Sequence, residues 1–275
     1  MIPGRWMGRR GAAPARGLLG LAVLAIALLQ GCATTAAPTT AASGASEAAA
    51  PARAPHPTDP WENLNRKVFS FNEGLDEAVL KPVAIGYTKV VPQLVRTGVT
   101  NFFGNFSDAW SAVNNLLQGK GEQGLNSMMR VGTNTVFGIL GVFDVATEAG
   151  IERHTEDFGQ TLGVWGLPPG PYLVLPLLGP SNVRDASALP LDMAVGPTGA
   201  LNDSGAQFGV TVLGVINGRA NLLSTTNVLD DIALDRYTFV RDAYLQRRRS
   251  LVYDGEPPEL PDSADPVEPP PDDKP

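Results

Sequence analysis

The sequence predicts an all-α fold: a single helical domain with an apolar hairpin, monotopic in a membrane, between a disordered N-terminal tether and an acidic C-terminal tail. Three observations lead to this prediction. Apolar residues between Asp59 and Asp254 recur at helical rather than alternating spacing. Three uncharged segments carry more apolar surface than a soluble bundle of this size usually displays. None of these segments can cross a bilayer as one helix, so a position in one leaflet is expected.

The helices follow one another along residues 59–254. Pro82 is expected to stop or bend the first, because proline removes a backbone donor and clashes with the preceding turn. Pro92 suits the first turn of the second, and Gly119 and Gly121 are expected to end the third. The apolar residues that indicate the helices are Val68, Phe71, Leu75 and Val79 for the first, Phe106, Ala109, Trp110, Val113 and Leu117 for the third, a run from about Glu122 to Phe143 for the fourth, and Tyr237, Val240, Tyr244 and Leu245 for a last helix from Ile232 to Val252.

The uncharged segments are residues 131–143, 158–183 and 204–218. The first would form a helix of about 20 Å, short of the roughly 30 Å of a hydrocarbon core. The second is long enough to span, but its prolines, from Pro168 to Pro180, forbid a continuous helix, so an apolar loop or hairpin is expected. Two interpretations stay open: a loop that crosses the protein core, or backbone beside a cavity at membrane depth.

Residues 1–31 have the layout of a lipoprotein signal peptide. Several arginines precede an apolar run from Leu18 to Leu29, which is too short for a transmembrane helix, and Gly31 stands directly before Cys32. We expect Cys32 to carry a diacylglycerol and an N-acyl chain. The alternative is a free or disulfide-bonded thiol. The sequence has one cysteine, so an intrachain disulfide bond is not possible. Ala33 rather than aspartate follows, which predicts transfer to the outer membrane, on its periplasmic side.

Two segments flank the predicted domain of residues 59–254. Residues 32–58 form the lipidated tether, since their Ala, Thr, Ser and Pro side chains bury too little surface to offset the entropy of ordering. Residues 255–275 are rich in proline and acidic residues and are predicted to be disordered. The net charge of −7 argues against nucleic acid as a partner.

The sequence offers no catalytic apparatus and no metal site, and no cofactor is expected beyond the acyl chains of the anchor. The histidine of the predicted domain, His154, lies with Glu152, Glu156 and Asp157 in a short polar connection, which fits a solvated turn better than a metal site. Asp157-Phe158-Gly159 matches the magnesium-binding triplet of kinases, but the other kinase motifs are absent. The Gly-x-Ser-x-Gly motif that carries the nucleophile of lipases is also absent. The run Arg247-Arg248-Arg249 is expected to face solvent or lipid headgroups.

Several motifs resemble, in order, those of the MlaA (VacJ) lipoproteins, and the resemblance covers nearly all of residues 59–255. The most distinctive stretch is Gly170-Pro171-Tyr172-Leu173-Val174-Leu175-Pro176. The other matching segments are Asp59 to Arg66, Lys81 to Ala84, Asn101 to Asn105, Asn114 to Gly119, Phe143 to Ala146, Glu156 to Gly163, Gly179 to Ser181 and Val183 to Asp185.

The resemblance implies a ring-like helical protein in the inner leaflet of the outer membrane, with an amphipathic channel through its centre and no enzymatic activity. It implies that phospholipids mislocalised to the outer leaflet pass to a soluble periplasmic carrier, which preserves lipid asymmetry, and that a trimeric porin is the membrane partner. The hairpin is the candidate to border or gate the channel. The residues assigned to it are Gly163, Gly166, Pro168, Pro169, Gly170, Pro171, Tyr172, Pro176 and Gly179.

Two alternatives belong to other functional classes. The first is a structural envelope lipoprotein that scaffolds a porin without a lipid path. Polar residues inside the domain would favour the channel, and a closed apolar core would favour the scaffold. The second is a lipid hydrolase, which needs a nucleophile and a base that the sequence does not provide.

Overall fold

A computed structural model of the protein describes residues 56–226 and 234–258. The predicted signal peptide, Cys32, most of the predicted tether and the tail beyond residue 258 lie outside the described residues. Within them the helices are α1 (Glu62–Leu75), α2 (Lys81–Val90), α3 (Gln93–Leu117), α4 (Gly121–Val136), α5 (Val145–Glu148), α6 (Phe158–Val164), α7 (Val183–Ala194), α8 (Ser204–Asn221) and α9 (Arg236–Val252), and the strands are β1 (Tyr172–Leu175) and β2 (Gly179–Asn182).

The break predicted near Pro82 is a π-helical turn, Asp76–Leu80, that joins α1 to α2. In this turn the amide of Lys81 bonds to the carbonyl of Asp76, five residues back. Pro82 follows in the first turn of α2. The missing amide of proline therefore falls beside a ladder that is already irregular, and the chain stays helical.

The predicted second and third helices are one helix, α3, which begins directly after Pro92. It ends just before Gly119, which adopts a positive φ of 79°, so the helix end predicted at this glycine is confirmed. The amide of Lys120 bonds back to the carbonyl of Asn115 at 2.9 Å. The tight turn brings α4 alongside α3. Gly124 of α4 is buried and packs closely against Leu116. A larger side chain at this position would collide with that leucine.

The prediction that the fourth helix continues to Phe143 is wrong, because α4 ends at Val136. Ile139 and Leu140 have positive φ values of 51° and 55°, and the amide of Gly141 bonds to the carbonyl of Asn134 at 2.8 Å. The side chain of Asn134 also accepts a hydrogen bond from the amide of Ala146 at 2.8 Å. These bonds fold the chain back on α4, so the predicted 13-residue uncharged helix does not form.

The proline-rich apolar segment contains a β-hairpin in which β1 pairs antiparallel with β2, with Tyr172 opposite Asn182. The fold is therefore mostly helical rather than entirely so. Two asparagines of α1 bond to the free edge of β1. Asn65 donates to the carbonyl of Tyr172 at 3.1 Å and accepts from the amide of Val174 at 2.9 Å. Asn72 donates to the carbonyl of Leu175 at 2.9 Å, so the edge of the hairpin is bonded to a helix.

The hairpin packs against α9 in a small apolar cluster of Tyr172, Val174 and Tyr237. The rings of Tyr172 and Tyr237 meet edge to face, with centroids 6.2 Å apart. Arg66 of α1 lies over the ring of Tyr237, 4.3 Å from its centroid. The start of the domain, the hairpin and the last helix are thereby packed together.

The distribution of polar and apolar residues is the reverse of that in a soluble protein, because many polar residues are buried and many large apolar residues are exposed. Of the nine buried hydrophobic residues among those described, five are alanines, whereas eighteen polar or charged residues are buried. Large apolar side chains are exposed instead, among them Leu94, Val136, Phe137 and Phe208, each more than 70% exposed. No helix within the described ranges combines the length and hydropathy needed to cross a membrane.

Candidate functional site

Helix α3 borders an apolar cavity along its N-terminal half. The cavity measures about 440 Å³, which is within the usual range of ligand sites. Gly98 contributes by its small size, because a side chain there would meet Val142. The residues that line the cavity all lack polar side chains: Leu94, Val95, Gly98, Val99, Phe102, Phe103, Val142, Phe143, Val210 and Leu213.

A second cavity of about 290 Å³ follows along the same helix and mixes apolar with polar side chains. Asn105 and Thr135 lie among its lining residues, together with Phe102, Phe106 and Leu140. The amide of Asn105 donates to Thr135 at 3.2 Å. The polarity of the interior therefore changes near the middle of α3.

The C-terminal half of α3 presents polar side chains to the interior. Ser111, Asn114 and Asn115 are fully buried. Asn114 accepts a hydrogen bond from Thr161 of α6 at 2.8 Å, and Ser111 accepts one from the amide of Glu156 at 3.0 Å. Asn115 lines a third cavity of about 460 Å³. One helix thus borders an apolar cavity near its start and a polar cavity near its end.

An arginine of α4 binds two carboxylates inside the protein. Arg130 donates from Nε to Asp108 at 3.1 Å and from Nη2 to Asp144 at 2.8 Å. Arg153 also pairs with Asp108, at 3.0 Å. Burial by itself would raise the pKa of Asp144, but hydrogen bonds from Thr147 and Asn134 and the charge of Arg130 outweigh it and lower that pKa to about 2. The carboxylate is therefore ionised in the folded protein.

Four of the predicted channel residues line a fourth cavity of about 550 Å³: Gly163, Gly166, Pro168 and Pro169. They belong to the end of α6 and to the link between α6 and β1. Gly166 has a positive φ of 95°, a conformation that favours glycine. The cavity also meets Arg184, Arg248 and Arg249.

Two of these arginines are bound to carboxylates. Arg248 donates to Asp157 at 2.5 and 2.9 Å and pairs with Asp185 at 2.8 Å; Arg184 pairs with Asp185 at 2.9 Å. Burial would raise the pKa of Asp157 and of Asp185, but the hydrogen bond and charge of Arg248 outweigh it, so both values lie below normal. Of the two settings expected for Arg248, solvent is wrong, because its side chain is only 12% exposed within this ion-pair network.

The other predicted residues lie apart from this cavity. Gly170, with a φ of 67°, packs against Val183. The carbonyl of Pro171 accepts from the amide of Val183 at 3.2 Å. Tyr172 is fully buried in the apolar cluster. Pro176 and Gly179 flank the turn of the hairpin, whose Leu177 and Leu178 are exposed. Cys32 lies outside the described residues.

The acidic connection after α5 is not a solvated turn throughout. Glu152 is exposed, and its carboxylate is 3.9 Å from His154. Glu156 is buried and accepts from Gln118 at 2.9 Å and from Lys120 at 3.1 Å, and burial raises its pKa despite these bonds. Asp157 caps the first turn of α6. Among the described residues, no cluster of His, Asp and Glu side chains suits a metal ion.

The polar stripe of α3 was missed by sequence reasoning, which used only the opposite, apolar stripe to identify the helix. Ala109, Val113 and Leu117 of that apolar stripe are exposed. The buried residues recur at the same helical spacing, on the polar face: Asn105, Asp108, Ser111, Ala112 and Asn115. The signal was present, since an unusually asparagine-rich face stands opposite an apolar face that no soluble partner covers.

A mostly helical chain with polar residues inside and large apolar residues outside defines a protein of the membrane-associated class. The family model described as MlaA lipoprotein matches residues 57–251. The chain therefore belongs to the MlaA lipoprotein family.

Individual relatives agree with this assignment. The intermembrane phospholipid transport system lipoprotein MlaA of Escherichia coli is 37% identical over 205 residues, which cover 72% of this chain and 80% of the relative. The Haemophilus influenzae protein of the same name is 31% identical over 208 residues, 72% of this chain and 80% of the relative. A solved structure from work on the maintenance of bacterial outer membrane lipid asymmetry has a TM-score of 0.62 and 34% identity, and covers 70% of this chain and 98% of its own.

Proposed function

We propose that this protein takes phospholipids that have reached the outer leaflet of the outer membrane and passes them to a soluble periplasmic carrier, so that lipid asymmetry is maintained. Relatives from E. coli and H. influenzae carry names that assign them to intermembrane phospholipid transport. In this proposal the protein is not an enzyme. It is anchored by acyl chains on Cys32 to the periplasmic side of the outer membrane and lies in the inner leaflet beside a trimeric porin.

The observation that carries the proposal is the change of polarity along α3. A phospholipid has an apolar part and a charged part, and each is stable only in matching surroundings. The apolar cavity at Leu94 to Phe103 suits acyl chains, whereas the buried amides from Asn105 to Asn115 suit a headgroup. One helix therefore offers both parts of a lipid a suitable wall.

The exposed apolar side chains support a position within lipid. In water, a surface this apolar would be costly and would aggregate. In a leaflet, the same residues meet acyl chains, and the polar interior is shielded from them.

The fourth cavity, of about 550 Å³ and called the hairpin cavity from here on, supports a role for the predicted channel residues at one end of the path. Gly163, Gly166, Pro168 and Pro169 meet the bound arginines Arg184 and Arg248 there. An arginine that keeps its carboxylate partners can still offer remaining donors to a phosphate. In this proposal the link between α6 and β1 borders the path and gates it.

No energy source within the protein is needed by this mechanism. Phospholipids in the outer leaflet are less well placed than in the periplasmic leaflet, so an open polar path lets them descend, and removal by the carrier gives the movement its direction. The structural alternative, a lipoprotein that scaffolds a porin, does not call for a polar interior.

The proposal is tested by measuring phospholipid in the outer leaflet of cells that lack this protein, with a phospholipase or palmitoyltransferase restricted to that leaflet as reporter. We expect excess surface phospholipid, reversed by the wild-type gene but not by Cys32→Ser. Ser43→Ala, in the predicted tether, is the matched control and should restore the surface fully. An unchanged surface in the deletion strain would contradict lipid removal and favour the scaffold.

A further inference from the structure

Three buried amide oxygens near the end of α3 accept no hydrogen bond from any residue that the structure describes: Oδ1 of Asn115, Oε1 of Gln118 and Oε1 of Gln160. Asn115 lies in the last turn of α3, and Gln118 directly follows the end of that helix. Gln160 lies on α6, next to Thr161, which accepts from Gln118 at 3.0 Å. A buried acceptor without a donor is destabilising. Three such acceptors in one region indicate a missing donor.

The orientation of these amides follows from their nitrogen atoms. Nε2 of Gln118 donates to the carboxylate of Glu156 at 2.9 Å, and Nε2 of Gln160 donates to that of Asp157 at 3.1 Å. Nδ2 of Asn115 donates to the carbonyl of Ser111 at 2.8 Å. Turning any amide around would set its oxygen against another acceptor oxygen. The three oxygens therefore keep their positions and need an external donor.

Two of the three amides form the inner wall of the 460 Å³ cavity, where Asn115 is 0% and Gln160 is 3% exposed. Glu156 adds a buried carboxylate to this wall. Arg153 and Asp254 also line the cavity and are partly exposed, at 38% and 49%. The cavity thus combines acceptors at its inner end with a cation and an anion nearer to solvent.

We propose that this cavity binds the primary ammonium group of an ethanolamine phospholipid headgroup. A primary ammonium has three N–H donors, which suit the amide oxygens of Asn115 and Gln160 and the carboxylate of Glu156, all of which line this cavity. The oxygens are almost fully withdrawn from solvent, so the ammonium inserts between the amides rather than resting on the cavity surface. The phosphate of the same headgroup is directed towards Arg153. The inference rests on the proposed function, because it assigns the headgroup that the lipid path recognises.

Comparison with a choline headgroup distinguishes hydrogen bonding to the ammonium group from simple attraction of its positive charge. Choline carries the same positive charge but no N–H, so it leaves the amide oxygens without donors. We expect the full-length lipidated protein, purified in detergent, to bind phosphatidylethanolamine on the order of tenfold more tightly than phosphatidylcholine with identical acyl chains, since hydrogen bonds to a charged donor are worth more than neutral ones. Native mass spectrometry of the protein with an equimolar mixture of the two lipids measures this ratio.

Substitutions at the two lining amides test the site. Gln160→Met removes one acceptor and should reduce the preference to about twofold or less, and Asn115→Leu removes the other and should reduce it similarly. Gln123→Met is the matched control, because it makes the same change in a residue that also lines this cavity but has no orphan oxygen. The two independent variants keep the test decisive if one of them fails to fold.

The outcomes separate this inference from the function it rests on. Equal binding of both lipids by the wild type, or a Gln160→Met variant that keeps the full preference, overturns the ammonium site and leaves lipid transport standing. Absence of any bound phospholipid contradicts the proposed function itself. A further arm adds ethylammonium: release of phosphatidylethanolamine at micromolar amine would assign the cavity to a soluble amine and overturn the headgroup assignment.

Discussion

Arg130 and Asp108 form an ion pair of 3.1 Å in which each side chain is only 1% exposed. Arg130 also donates to the carbonyl of Ile151 at 2.6 Å and to Asp144 at 2.8 Å. Two buried charges are costly unless each is paired and hydrogen-bonded. The guanidinium joins α3, α4 and the segment before α6, so the polar interior is held together by ions where most proteins of this size use apolar packing.

Removal of this arginine should destabilise the fold strongly. Arg130→Met leaves Asp108 with Arg153 alone and takes a partner from Asp144, so we expect the free energy of unfolding to fall by about 3–5 kcal/mol. Chemical unfolding in detergent, followed by circular dichroism, measures the change. The control is Lys89→Met, at an exposed position of α2, which should alter stability by less than about 0.5 kcal/mol.

The hairpin should loosen when its bond to α1 is removed. Asn65→Leu deprives the amide of Val174 of its acceptor and the carbonyl of Tyr172 of a donor, at a cost of about 2–3 kcal/mol. Hydrogen exchange at Val174 should accelerate accordingly. Asn63→Leu changes an exposed asparagine of the same helix and should leave that exchange rate unaltered; equal acceleration in both variants would show that Asn65 does not hold the hairpin.

Acid should weaken the protein through Asp144. Its pKa is lowered from 3.8 to about 2 by the folded structure, so the ionised group contributes stability that is fully present above pH 4 and is lost as the pH falls towards 2. In Asp144→Asn, unfolding measured as a function of pH should show a smaller loss across this interval. Asp203→Asn, at the exposed cap of α8, is the comparison. A wild-type slope retained by Asp144→Asn would disprove the assignment.

A change of conformation at Gly166 should alter lipid movement without unfolding the helices. Gly166→Ala meets no neighbouring atom but places a side chain on a backbone with a φ of 95°, which costs about 1–2 kcal/mol in the folded state. Gly150 has a φ of 75° and equally open surroundings, yet does not line the hairpin cavity, so Gly150→Ala is the matched control. We expect excess surface phospholipid with Gly166→Ala only, by the outer-leaflet reporter. Wild-type surfaces with both variants would refute a gating role.

The sequence predicted the helical class, the end of α3 at Gly119 and the hairpin within the proline-rich segment, because these depend on local backbone chemistry. Glycine at a positive φ and proline without a donor act through neighbouring residues only. The end of α4 depends instead on Asn134, whose side chain reaches the amide of Ala146. Such a contact between distant positions is not visible in local periodicity.

The sequence reasoning did not identify which face of α3 is buried. An apolar stripe indicates which side of a helix avoids water, but in a lipid leaflet that side can face outwards. Val113 and Leu117 are exposed, while Asn114 and Asn115 are buried. The three uncharged segments predicted a membrane setting, and applying that prediction to each helix would have indicated the polar face of α3 as the buried one.

Photolabelling with two phospholipids tests the lipid path most directly, one with the reactive group in the headgroup and one with it at the end of an acyl chain. Each is incorporated into membranes that contain the full-length protein, irradiated, and located by peptide mass spectrometry. We predict that the headgroup probe labels residues 111–118 and 156–161, and that the acyl probe labels residues 94–103 and 210–213. Headgroup labelling confined to outward side chains such as Leu116 and Leu117, with none at the buried amides, would contradict passage of lipid through the polar interior.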